Sequence, residues 1–240
     1  MPSIFIQFFA RQSRALYRQY IEHDGADHVR QDTGFHNHRI ERASPLPLRR
    51  TELPTGTIEL ARFLIGKTLI RELGHVRLSG RIVETEAYPP GDASGHAYRG
   101  PTARNRSLFL GHGYAYVYLN YGVSFLLNVT SEEPGIGAGI LLRALEPVEG
   151  IPQMEHNRRT TAIVDLIRGP GRLTEAMAID MDCDGEDLCQ AQTLWLGTAI
   201  RPTGSIGQSV RIGISQGRGQ LRRFYERSSP FVSGPKRLRM

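Results

Sequence analysis

The chain has 240 residues, 40% of them hydrophobic, and a formal net charge of +6. That length suits one good-sized domain with its own core, and no stretch approaches the roughly 20 apolar residues needed to span a bilayer. The positive charge favours a polyanionic partner, because basic side chains replace counterions along a phosphate backbone.

Residues 1–50 differ in character from the rest. Ile4, Ile6, Phe8 and Phe9 precede Arg11, Arg14 and Arg18, as in an amphipathic targeting segment, yet no small-residue cleavage motif follows a long apolar core. His23, His28, His36 and His38 would bind a metal only if held in order. The segment reads as a poorly ordered extension, and residues 42–54, with three prolines, as a linker. A domain over residues 51–235 and a basic tail over 236–240 follow.

Within the domain, Ile58, Leu60, Ala61, Leu64 and Ile65 have helical spacing, and Gly66 can end that helix. Residues 67–71 and 76–88 read as strands. By the two-residue period, Val76, Leu78, Ile82, Glu84, Glu86 and Tyr88 share one face of the second strand. Residues 89–106 form a polar loop rich in Gly and Pro, too long for a simple turn and of a kind that is often functional. Residues 114–120 make a strand with Tyr114, Tyr116 and Tyr118 on one face, Asn120-Tyr121-Gly122 a hairpin turn, and residues 123–129 the return strand. Residues 140–145 predict another strand, residues 155–168 and 172–179 helices, and residues 210–215 and 223–226 short closing strands. Cys183 and Cys189 are too few for a disulfide framework and lack zinc spacing, so a reduced, intracellular setting is expected. No βαβ alternation occurs. The fold class is α+β: a single domain with a mixed, largely antiparallel curved sheet, flanking helices and a protruding β-hairpin.

Three features could carry chemistry. Tyr121 sits at a hairpin tip, where a large aromatic has little core to enter, and is a candidate wedge between DNA bases. Tyr118 lies on the adjoining strand, near enough to stack on a base, whereas Tyr114 and Tyr116 read as core. In Glu84-Thr85-Glu86-Ala87-Tyr88, a carboxylate could activate water and stabilise an oxocarbenium-like state. Glu86, nearer the loop, is better placed than Glu84, which is equally well explained as a buried partner of an arginine. His96, in the polar loop, gains meaning only from its neighbours.

These residues together resemble the alkyladenine (3-methyladenine) DNA glycosylase family. Arg81-Ile82-Val83-Glu84-Thr85-Glu86-Ala87-Tyr88, His96, Thr102-Ala103-Arg104-Asn105 and Tyr116-Val117-Tyr118-Leu119-Asn120-Tyr121-Gly122 match its motifs. Asn128, Leu141-Leu142-Arg143-Ala144-Leu145-Glu146-Pro147, Gly169-Pro170-Gly171-Arg172-Leu173, Arg223-Phe224-Tyr225 and Ser229-Pro230-Phe231-Val232-Ser233 follow in the family's order. The resemblance implies an enzyme that flips an alkylated or deaminated purine from double-stranded DNA and hydrolyses its N-glycosidic bond. It implies Glu86 as the base that activates water and Arg143 as the arginine that helps hold that base and water. Tyr88, His96 and Tyr118 would contact the flipped base, Asn128 would discriminate against the guanine amino group, and Tyr121 would fill the gap in the duplex. Thr102, Arg104, Asn105 and Arg172 are candidates for contacts to the DNA backbone. Pro89-Pro90-Gly91, a shorter Tyr88-to-His96 interval, Ala103 and Ser124 depart from the family pattern and bear on base preference.

Lysine is nearly absent, with only Lys67 and Lys236. Attack on the sugar by an amine needs such a group, and neither lies near the candidate site in sequence, so the reaction expected is monofunctional hydrolysis by water. No metal or cofactor is expected, nor a membrane partner. The chain reads as a monomer inside the cell, cytoplasmic and nucleoid-associated if bacterial. A non-catalytic DNA-binding protein of the same fold could dispense with Glu86 or Arg143, and both are present. A nucleic-acid-modifying transferase would carry a cofactor motif, and no G-x-G-x-x-G follows a strand.

Overall fold

The computed structural model describes residues 44–235, so the targeting-like, histidine-bearing segment and the basic tail lie outside the described residues. Eight strands form one sheet: β1 (Thr68–Leu73), β2 (Val76–Tyr88), β3 (Ala115–Asn120), β4 (Ser124–Thr130), β5 (Gly139–Glu149), β6 (Leu194–Gly197), β7 (Ile206–Ser209) and β8 (Arg223–Glu226). Their order is β3-β4-β5-β2-β1-β6, with β8 joined to β2 and β7 joined to β8. The strand pairings are all antiparallel. Three helices, α1 (Thr57–Phe63), α2 (Ile151–Arg158) and α3 (Pro170–Ala176), complete the α+β fold.

The helices pack on one face of the sheet. Leu60 and Ala61 of α1, Met154 of α2 and Leu173 and Ala176 of α3 join Leu78, Ile82 and Ala87 of β2, Leu127 and Val129 of β4 and Leu142 and Leu145 of β5 in the main core. Simple alternation would place Glu84, Glu86 and Tyr88 on this same face. They are not there. The pairing of β2 with β5 shifts register between Ile82 and Glu84, and again between Glu84 and Thr85. Val83 is the extra residue on β2, and Arg143 faces the second shift on β5. Such a bulge moves every later side chain to the opposite face and curves the sheet. Thr85 and Ala87 therefore turn to the helices, where Thr85 Oγ1 donates to Ala61 O at 2.9 Å. Glu84, Glu86 and Tyr88 turn to the opposite face.

Other sequence expectations shift for local reasons. The helix expected over residues 155–168 begins earlier and ends at Arg158. Gly150, at φ 74°, turns the chain into α2, and Arg159, at φ 50°, ends it. Only a 3-10 turn, Ile163–Asp165, follows. Residues 210–215 are irregular rather than a strand, with Gly213 at φ 77°. Strand β6 has no alternating pattern because all four residues are buried. The proline-bearing stretch read as a linker packs on the fold within its described part. Leu48 is buried, and its N–H donates to Leu196 O at 2.9 Å.

On the face away from the helices, Arg81 fastens three strands. Its Nη2 donates to Glu226 Oε1 of β8 at 2.7 Å, its Nη1 also bonds that carboxylate, and Glu146 of β5 lies 3.7 Å away. Both partners of the β2–β8 pair are buried, so losing one leaves the other as an uncompensated charge. Arg81→Met should cost about 3 kcal/mol or more in urea denaturation at neutral pH. For Glu226, burial pushes the pKa up, but Arg81, the Gly204 N–H and Arg201 outweigh it and hold the pKa below the ordinary value. Its contribution is therefore full above the unfolded-state pKa and lost as pH falls through the folded one. The gap between wild type and variant should narrow in acid.

Candidate active site

The sheet face opposite the helices carries a cavity of about 520 Å³, within the size range of small-molecule sites. The strand order builds it. Tyr116 and Tyr118 of β3 line one side and Tyr88 of β2 the other, while Leu126 and Asn128 of β4 and Leu141 and Arg143 of β5, the two strands between, form the floor. The 89–98 loop and residues 212–215 contribute further walls.

Glu86 is fully buried at the edge of this floor. Its Oε1 accepts from Ile212 N at 2.7 Å, and its Oε2 accepts from Tyr88 Oη at 3.0 Å and lies 3.3 Å from Arg143 Nη1. Burial dominates its titration and raises its pKa, with Glu84 adding to the rise, although Arg143, the Ile212 N–H and Tyr88 oppose it. Glu84 is equally buried but far better supplied with donors. Its Oε1 accepts from Arg223 Nε at 2.7 Å, Arg143 Nε at 3.0 Å and Ser233 Oγ at 3.0 Å, and its Oε2 from Ser233 N at 2.6 Å. Burial pushes its pKa up, but Arg143, Arg223 and Ser233 reverse the effect, and the net shift is downward. The structure thus separates the two readings left open for Glu84: it is the buried partner of two arginines, and Arg143 is the cation it shares with Glu86.

The aromatic side of the cavity is cross-linked. His96 Nδ1 lies 2.8 Å from Tyr116 Oη, and the His96 ring centroid is 4.3 Å from that of Tyr118, which stacks on Tyr116 at 5.4 Å. Packing around the His96 ring, aided by the Arg104 guanidinium, lowers its pKa and favours the neutral imidazole. Burial raises the Tyr118 hydroxyl to about 12, so it stays protonated. Tyr116, read from sequence as core, is both buried and a wall of the cavity. Its shared face with Tyr118 was the signal for that role. Ile212 and Gly213 were hidden by the expectation of a strand, and Arg223 and Ser233 were visible as motif members without a role.

The outer residues divide. Tyr121 is 93% exposed at the hairpin tip. Its φ of 48° and that of Gly122 at 70° turn the chain, and Val123 N closes the turn on Asn120 O at 3.0 Å. Arg104 is exposed and donates from Nη2 to Leu119 O at 2.9 Å. Arg172 is exposed and lies 3.2 Å from Asp165. Asn105 is different. It is buried, its Oδ1 accepts from Thr102 N and Oγ1, and its Nδ2 donates to His96 O and Gly100 O. Those bonds engage both ends of the Asn105 amide and the Thr102 hydroxyl inside the loop, so Asn105 organises the His96 loop.

The geometry thus joins a buried sheet-borne carboxylate, an aromatic-walled cavity and a solvent-exposed aromatic hairpin. Residues 52–230 match the family model described as methylpurine-DNA glycosylase (MPG). The chain belongs to that family and is a DNA glycosylase of DNA repair. A protein of Mesorhizobium japonicum is 58% identical over 192 residues, covering 80% of this chain and 92% of the relative. One of Paraburkholderia phytofirmans is 52% identical over 193 residues, covering 80% and 91%. Both carry the name "Putative 3-methyladenine DNA glycosylase". No helix among the described residues is long and apolar enough to cross a membrane.

The Tyr116 hydroxyl is the partner of His96 Nδ1. Tyr116→Phe should therefore cost about 1 kcal/mol in stability and weaken binding of damaged duplex, which thermal denaturation and fluorescence anisotropy would measure.

Proposed function

We propose that the protein flips alkylated or deaminated purines (3-methyladenine, 7-methylguanine, hypoxanthine, ethenoadenine) out of duplex DNA into the aromatic cavity. There it hydrolyses the N-glycosidic bond with water and leaves an abasic site. The observation that carries this reading is Glu86: a buried carboxylate with a raised pKa, oriented by two hydrogen-bond donors and the Arg143 ion pair at the foot of a base-sized aromatic cavity. Extrusion costs a few kcal/mol. Tyr121, held outward in a left-handed turn, offsets part of that cost by filling the vacated stack. Tyr88, Tyr118 and His96 hold the base by stacking, and Asn128, whose Nδ2 donates to Tyr116 O at 3.3 Å, stands on the floor to discriminate against the guanine amino group. Glu86 takes a proton from the attacking water as the leaving purine departs, and Arg143 holds the carboxylate and steadies its charge. Thr102, Arg104 and Arg172 lie on the exposed surface where a phosphate backbone would pass.

Monofunctional hydrolysis is supported by the position of Lys67, whose Nζ lies 4.4 Å over the Phe63 ring and which does not line the cavity. The proposed working unit is residues 51–235, acting as a monomer on DNA inside the cell, at the nucleoid if the source is bacterial.

The experiment is single-turnover release of free base from duplexes holding one damaged purine. Glu86→Gln should slow hypoxanthine release by about 10²-fold or more, and near-native release would remove the general-base role. The sign of the pH dependence follows from the raised pKa: the ionised base is complete above it and is lost as pH falls through it. The acid limb of the wild-type rate profile should therefore lie above the ordinary glutamate range. Tyr121→Ala should weaken damaged-duplex binding on the order of tenfold while leaving thermal stability nearly unchanged, because the ring is 93% exposed and alanine keeps the Cβ that makes the left-handed turn costly.

A further inference from the structure

Arg211 takes no part in the chemistry above, yet its side chain is fully buried. Its Nη1 donates to Ala87 O at 3.0 Å and pairs with Asp92 at 2.5 Å, while Nε and Nη2 have no hydrogen-bond partner among the described residues. An under-satisfied buried guanidinium is costly, and its placement suggests what it does. Its central carbon stands 4.5 Å over the centroid of the Tyr88 ring. Tyr88 borders the cavity and Arg211 does not, so the cation lies behind an aromatic wall. Asp92, which also accepts from Arg222 at 2.8 Å, offsets part of the positive charge.

The face of an aromatic ring attracts cations through its quadrupole. A guanidinium already seated on the ring draws on the same electron density, and it also repels any positive charge stacked against that ring. The other charged groups near Tyr88 are Glu86, which accepts from its hydroxyl, and Arg143. Neither removes the effect of a cation held against the ring by its own salt bridge. We propose, resting on the glycosylase reading, that Arg211 is a specificity-determining residue: it weakens the hold of the Tyr88 wall on positively charged purines and so shifts selection toward neutral ones.

The test compares single-turnover specificity (rate over half-saturating enzyme concentration) on duplexes holding 7-methylguanine, which is cationic, and hypoxanthine, which is neutral. Arg211→Gln should raise the ratio of cationic to neutral excision about three- to tenfold, whatever it does to the absolute rates. Asp92→Asn, which leaves the cation less compensated, should move the ratio the other way. A purely structural role would slow both lesions together, so a ratio within about twofold of wild type in Arg211→Gln overturns the proposal, since a cation–π contact of ordinary strength exceeds that change. If Arg211→Gln does not fold, Asp92→Asn decides: a fall in the ratio supports the proposal, and a constant or rising ratio overturns it. Failure of the wild-type protein to release either base would instead overturn the glycosylase reading beneath it.

Discussion

Arg143 lies between two buried carboxylates, and the site depends on how it is shared. Its Nε bonds Glu84 at 3.0 Å while its Nη1 faces Glu86 at 3.3 Å. Two carboxylates this deeply buried cannot both stay ionised without cations beside them. Glu84 has a second one in Arg223 and two further donors in Ser233, and its pKa falls. Glu86 has only part of Arg143, one backbone N–H and a tyrosine hydroxyl, and its pKa rises. One residue type thus takes two roles through its environment alone: a fixed anion that anchors the arginine, and a less compensated carboxylate buried beside the cavity.

The bulge at Val83 makes this possible. Without the extra residue, β2 would carry Glu84 and Glu86 into the packed helices, where nothing could pair with them. With it, one strand serves the core through Leu78, Ile82 and Ala87 and the site through Glu84, Glu86 and Tyr88. The compensating shift opposite, at Arg143, brings the arginine to the same face. Long-range closure then comes from the C-terminal segment, since Ser233 binds Glu84 through both its N–H and its hydroxyl. The site is therefore assembled from strands and a C-terminal segment far apart in sequence.

Much of this was legible in the residues. The hairpin and its tip, the long second strand, the first helix and the antiparallel sheet follow from apolar spacing and turn chemistry, and the family motifs singled out Glu86, Arg143, Tyr88 and Tyr118. What was not legible has physical causes. A bulge leaves no mark in a two-residue pattern, so Glu84 and Glu86 were placed on the correct strand but with the wrong neighbours. Residues 210–215 have strand-like composition, yet a left-handed glycine bends them into a cavity wall that supplies the Ile212 N–H. Asn105 resembles a surface polar residue until its loop is folded, because most of its partners are backbone groups of that loop, which leave no mark in the sequence. The fully buried β6 offers no alternation to read.

The central claim is that environment splits the titrations of two neighbouring glutamates. A carbon-13 NMR titration of the side-chain carboxyls, assigned by single Glu→Gln substitutions, tests it most directly. Because the pair is coupled, the steps belong to both groups, but their order is decisive. The account predicts that the Glu86 carboxyl titrates first as pH falls, above the ordinary glutamate range, and that Glu84 remains ionised well below it. A reversed order, or a Glu86 carboxyl titrating below the ordinary range, would contradict it.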